Sequence, residues 1–85
     1  MDLIIERSAF KVLIRIQPKL AAAIRDTLSR IAEQPYAHHA NVTRLKGVRD
    51  SFRLRHGDWR VIYRIDRAGQ QVVVEEVTTR GDAYR

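Results

Sequence analysis

The stretch Phe52-Arg53-Leu54-Arg55-His56-Gly57-Asp58-Trp59-Arg60-Val61-Ile62-Tyr63 decides the fold. Phe52 and Leu54 alternate with Arg53 and Arg55. Past Gly57, the residues Trp59, Val61, Tyr63 and Ile65 alternate with Arg60, Ile62, Arg64 and Asp66. Period-two alternation on both sides of a glycine is the pattern of a β-hairpin with one buried face. A two-residue loop at His56-Gly57, the usual tight connection, sets Arg55 opposite Asp58, Leu54 opposite Trp59, Arg53 opposite Arg60 and Phe52 opposite Val61. Phe52, Leu54, Trp59 and Val61 then share one side, and Arg53, Arg55 and Arg60 the other. A one-residue slip would mix the two sets and bury charge, so the apolar face is expected to fix this register. Two guanidinium groups placed opposite each other repel, which is tolerable where an anion sits between them.

Working outward, a Val-rich run over 71–78 follows a second turn at Gly69 and completes a three-stranded antiparallel meander. On the N-terminal side, Leu3 to Ile5 read as a strand, and Ser8 is placed to cap a following helix. Residues 10–16 are ambiguous. Phe10, Val12, Ile14 and Ile16 alternate like a strand, whereas Ala9, Val12, Leu13 and Ile16 fit a helical face. Pro18 suits the first turn of a helix. Leu20, Ile24, Leu28 and Ile31 then form one apolar stripe, and Pro35 bars continuation, so the spacing predicts a helix over 18–34. Residues 35–50 show little periodicity and read as a connection. The order is strand, one or two helices, then the meander: an α+β fold with helices on one face of the sheet.

The 85 residues make one domain, spanning 1–85. An apolar fraction of 45% and a charged fraction of 31% are those of a globular chain. Without cysteine there is no disulfide scaffold, Cys nucleophile or thiolate metal site. No apolar run is long enough to span a membrane, and the N-terminus lacks a basic leader, so a cytoplasmic protein is expected. The formal net charge is +6, and it is localised: residues 44–67 carry eight basic side chains (Arg44, Lys46, Arg49, Arg53, Arg55, Arg60, Arg64, Arg67) against three acidic ones. Thirteen of the 16 basic residues are Arg, which forks onto phosphate oxygens as Lys does not. Such a cluster suits a polyanion partner, although a solvated basic surface has the same composition.

The run Leu45-Lys46-Gly47, the hairpin stretch quoted above, and then Arg80 and Tyr84 resemble the RelE side of the RelE/ParE toxin superfamily. The resemblance implies a helical hairpin against the sheet, with residues 9–16 as helix. It also implies the toxin of a type II toxin–antitoxin system: a ribosome-dependent endoribonuclease that cleaves mRNA in the A site and is neutralised by a cognate antitoxin in a hetero-oligomer. No metal or other cofactor is implied. The 2′-hydroxyl attacks the adjacent phosphate, so the site must accept a proton, stabilise charge and protonate the leaving 5′-oxygen. By position in the motif, Arg60 would bind the scissile phosphate, Arg80 would stabilise charge or assist the leaving group, and Tyr84 would stack on the nucleotide. Arg53 and Arg55 hold the two basic positions of the first hairpin strand, where the best-known members carry lysines. Guanidinium is not deprotonated in proteins, so the general base is left open. Arg44, Lys46, Arg49, His56 and Arg64 are expected to contact RNA, with His56 also a candidate proton carrier. A ParE-like gyrase inhibitor and a noncatalytic RNA-binding module are the alternatives on the same fold.

Other constellations carry less. His38 and His39 are adjacent and point apart, with no carboxylate close in sequence, so they are a poor metal pair. Glu75 and Glu76 are expected to face opposite sides of a strand, which excludes a carboxylate dyad and leaves either to balance the Arg cluster. Trp59 is expected in the core. No phosphate-binding glycine loop or nucleophile elbow occurs.

Overall fold

The computed structural model describes residues 1–79. Its elements in chain order are β1 (Asp2–Ile5), α1 (Arg7–Leu13), α2 (Pro18–Glu33), β2 (Val42–Arg44), β3 (Ser51–His56), β4 (Trp59–Asp66) and β5 (Gln71–Thr79). The five strands form one mixed sheet in the order β1-β5-β4-β3-β2. β1 runs parallel to β5, with Leu3 beside Val72, and the other pairings are antiparallel. No helix among the described residues is long and apolar enough to cross a membrane.

The helical reading of residues 9–16 prevails for 9–13: the helix begins two residues earlier and ends at Leu13, with Ile14 as its C-cap. Ala9 and Leu13, four apart, are buried against the sheet. Phe10 and Ile14, which a strand would have turned inward, stay 43% and 60% exposed. Ser8 is not the cap. It lies in the first turn of α1 and its hydroxyl donates to the Glu75 carbonyl at 3.3 Å, while Glu6 holds the cap position without a side-chain bond. α2 begins at Pro18 as expected and ends with Gln34 as its C-cap. Ile24, Leu28 and Ile31 are fully buried on Leu54, Val61, Tyr63, Val72 and Val74. Each such side chain contributes about 1.5–3 kcal/mol of transfer free energy.

The sheet is larger than the expected meander. Val42-Thr43-Arg44, read as connection, pairs antiparallel with β3 as an edge strand, Thr43 opposite Arg53. The loop after it folds across the face of the sheet opposite the helices, where Leu45 and Val48 cover Ile62.

The hairpin register differs from the expectation by one loop position. Gly57-Asp58 is the loop, and His56 faces Trp59, Arg55 faces Arg60, Leu54 faces Val61, Arg53 faces Ile62 and Phe52 faces Tyr63. Gly57 adopts φ +58, which the first central residue of this turn requires and which His56 would meet only under strain. Moving the loop by one residue shifts every partner by two and leaves each side chain on its face. The apolar pattern therefore fixed the faces and left the register to the glycine.

β4 and β5 carry a second irregularity. Ile62 faces Glu76 while Tyr63 faces Val74, so Glu75 is an extra residue in β5. This bulge overturns the expectation that the two glutamates point apart. Both line one cavity of about 410 Å³ beside Ile62 and Leu45 on the helix-free face.

Candidate functional site

The edge of the helix-free face gathers the arginines of the hairpin. Arg53 and Arg55 project from β3, and Arg60 from β4. Together with Asn41 and Thr43 they line a cavity of about 350 Å³. Strand alternation places these arginines opposite Leu54 and Val61, whose burial under the helices leaves the charged set no other side to face. Arg60 sits between Arg55 on one neighbouring strand and Thr78 on the other. The expected Arg-on-Arg cross-strand pair is present, with Arg55 in the place assigned to Arg53.

Among the described residues the electrostatics of this cavity are unbalanced. The ion pairs among the described residues are Arg30–Asp26, Arg64–Glu75 and Arg67–Asp50. None uses Arg53, Arg55 or Arg60. Nη1 of Arg60 is buried and has no hydrogen-bond partner among the described residues. A buried polar donor without an acceptor costs about 1–3 kcal/mol, and more when it carries charge. An anionic oxygen in the cavity would satisfy it.

Asn41 and Thr43 escaped the sequence reading. Asn41 holds a left-handed backbone, φ +64, and its carbonyl accepts from the Arg55 amide at 2.8 Å. The signals were present: asparagine tolerates that conformation, Val42-Thr43 favours a strand, and Gly47, with φ +74, turns the chain back toward β3.

The other expected contacts are dispersed. Arg64 is on the same face four residues along β4, about 13 Å from Arg60 at the usual strand rise, and its Nε donates to Glu75 Oε2 at 3.0 Å. Lys46 and Arg49 lie in the covering loop and, with Arg44, border a separate cavity of about 620 Å³. His56 shares the helix-side face with Leu54 and Trp59 and does not line the arginine cavity. Trp59 packs at the margin of the core. Nε2 of His39 donates to the Gln34 carbonyl at 2.7 Å and so finishes α2. Arg80 and Tyr84 lie outside the described residues. The last described residue, Thr79, pairs with Trp59.

The electrostatic exception on the helix side is Tyr63. Burial pushes its hydroxyl up to about 12, so it stays a neutral donor at physiological pH. At the far end of the hairpin, the fork of Arg67 grips Asp50, Nε to Oδ2 and Nη2 to Oδ1 at 3.3 Å each. That bond, followed by the carboxylate's charge, holds the Arg67 guanidinium above its ordinary value.

This architecture is that of known bacterial and archaeal toxins. The isolated E. coli RelE toxin superposes with a TM-score of 0.80 at 20% identity, covering 93% of this chain and 83% of that one. The archaeal RelE–RelB complex of Pyrococcus horikoshii gives 0.80 at 22% identity, with 96% and 97% covered. A YoeB/ParE toxin from Agrobacterium tumefaciens gives 0.77 at 21% identity, with 93% and 98% covered. No curated protein sequence matches the chain. The fold is therefore that of RelE-like toxins. Residues 3–84 match the ParE toxin of type II toxin–antitoxin systems, parDE, and the chain belongs to that family within the RelE/ParE superfamily.

Proposed function

We propose that this toxin is a ribosome-dependent endoribonuclease that cleaves mRNA in the A site. The observation that carries the reading is the cavity where Arg53, Arg55 and Arg60 converge, with a buried guanidinium nitrogen that has no acceptor among the described residues. In the reaction the 2′-hydroxyl loses its proton and bonds to phosphorus, the P–O5′ bond breaks, and the 5′-oxygen departs with a proton. The products are a 2′,3′-cyclic phosphate and a 5′-hydroxyl. Nη1 of Arg60 donates to a non-bridging oxygen, and Arg53 and Arg55 offset the second negative charge that develops in the transition state. None of the five lining residues accepts a proton readily, since guanidinium is not deprotonated. Proton transfer therefore falls to groups beyond this cavity, and Arg80 and Tyr84 are the motif positions assigned to the leaving group and the nucleotide.

The partner that silences this surface is an antitoxin chain. The solved neighbours include a complex of E. coli RelB and RelE, 23% identical with 99% of this chain covered. A net charge of +6 makes an acidic or amphipathic antitoxin segment the complementary ligand, held with a strong salt dependence.

The test is expression in growing cells with message 5′ ends mapped. The wild-type chain cuts within translated codons, and Arg60→Ala lowers cutting by about 10²–10³-fold, the usual effect of removing one transition-state donor. Arg80→Ala is expected to do likewise. The match to the ParE family supports a second reading, inhibition of DNA gyrase by binding. Loss of supercoiling without message cuts would select it and end the nuclease reading.

A further inference from the structure

The edge strand β2 separates two cavities. Asn41 and Thr43 line the arginine cavity on the helix-free face. Val42 and Arg44, alternating with them, line a second cavity of about 220 Å³ on the helix side. Its walls also include Tyr36, Phe52 and Tyr63, and two charged residues, Asp50 and Arg67. It is smaller than the roughly 300–1,000 Å³ of a site for a drug-sized ligand, so it suits one planar ring system.

The chemistry of the lining is that of base recognition. Phe52, half-buried, forms part of the wall and is backed by the buried core ring of Tyr63, their centroids 5.3 Å apart and 19° from parallel. At the rim, the Arg67 guanidinium lies 5.2 Å from the ring centre of Tyr36, a residue 59% exposed. Unpaired bases are taken by stacking on aromatic rings and guanidinium planes, with hydrogen bonds to their edges. Arg44 makes no ion pair among the described residues. The Asp50 carboxylate is fixed by Arg67, one donor on each oxygen, and the side chain keeps 17% exposure, so each oxygen has a lone pair to spare. A free guanidinium fork and a fixed carboxylate in one aromatic cavity match one base best. Guanine offers O6 and N7 to an arginine and N1–H and N2–H₂ to a carboxylate, whereas adenine, cytosine and uracil fill only part of that set.

We infer that the cavity bounded by Arg44, Asp50 and the Phe52–Tyr63 stack is a guanine subsite, which receives a base flanking the linkage held by Arg60 as the RNA passes around β2. The subsite rests on the ribonuclease reading and gives it a sequence preference. β2 is the edge strand of the sheet, and its alternate residues line the two cavities, so a single strand lies between them.

The experiment titrates the chain with 5′-GMP, 5′-AMP, 5′-CMP and 5′-UMP and follows amide shifts by NMR. GMP should bind at least about fivefold tighter than the others, the least expected of one bidentate base contact. Its shifts should include residues 42–44, 50–52 and 63–67. Arg44→Ala, an exposed change, should abolish the preference. Arg60→Ala should weaken all four nucleotides alike and keep it. Equal affinities, or shifts confined to Asn41, Thr43, Arg53, Arg55 and Arg60, would overturn the subsite. So would a GMP preference that Arg44→Ala leaves intact. The measurement involves no cleavage, so message cutting without guanine preference sinks the subsite alone, and guanine binding without cutting sinks the nuclease alone.

Discussion

Replacing Arg55 by Thr should make the free toxin more stable while disarming its cavity. Arg55 faces Arg60 directly across the hairpin, and neither has an acidic partner among the described residues. Two unit charges about 6 Å apart repel by roughly 0.7 kcal/mol in water and about 3 kcal/mol at an effective dielectric near 20. Arg55 is exposed, so the lower figure governs, in line with the ~0.2–1 kcal/mol range of cross-strand pairs. Among the described residues, the only bond its side chain forfeits is a 3.5 Å contact from Nε to the Gly57 carbonyl, at the weak end of the range. Threonine suits a strand and already occupies the same face at Thr43 and Thr78. A gain of ~0.5–1 kcal/mol corresponds to a Tm higher by about 2–8 °C for a domain of this size. The assay is thermal unfolding by circular dichroism at low and high salt. At ~0.01 M salt the Debye length is about 30 Å, and at ~1 M about 3 Å, so the advantage should be full in the first and vanish in the second. A Tm that falls at low salt, or a difference that salt does not change, would refute charge crowding as the strain in this hairpin.

Two further outcomes follow from the fold. Tyr63 is raised from 10.0 to about 12 by burial, so above pH ~10 the unfolded chain loses this proton first, and stability should decline between pH 10 and 12 by up to ~2 kcal/mol. Urea melts across that range should show the decline in the wild type and not in Tyr63→Phe, and the difference in tyrosinate absorbance between the two gives the folded value. Gly57→Ala would meet no atom of the described residues within 4 Å, yet its φ of +58 is left-handed, so it should cost ~1–2 kcal/mol through the backbone. Asn at the same position should cost less, and an unchanged urea midpoint in the alanine variant would count against the turn assignment.

How far the sequence could be read depended on how many residues voted for each feature. α2 was legible because four apolar residues at helical spacing agree and two prolines bound them. β3 and β4 were legible because the apolar and charged sets alternate without a break. The arginine cavity followed from that alternation, since a sheet with one face under helices must present Arg53, Arg55 and Arg60 on the other. The edge strand was hidden because Val42-Thr43-Arg44 holds a single alternation, which no pattern separates from a loop, and Asn41 and Thr43 went with it. The bulge at Glu75 was hidden for a different reason. Whether two adjacent residues point apart depends on how many residues the partner strand sets against them, and that count is written in β4. The hairpin register turned on one backbone angle at Gly57, which the apolar faces do not constrain.

The parallel contact of β1 with β5 also governs how the chain comes into being. Leu3 finds its partner in Val72, across nearly the whole polypeptide, and closing so long a span delays folding. A nascent chain stalled before residue 71 has an N-terminal strand without the β5 partner it pairs with, and α1 lacks the β5 surface it packs against. The sheet thus stays unfinished until β5 has been made, and the strand that carries Arg60 gains its second neighbour only then.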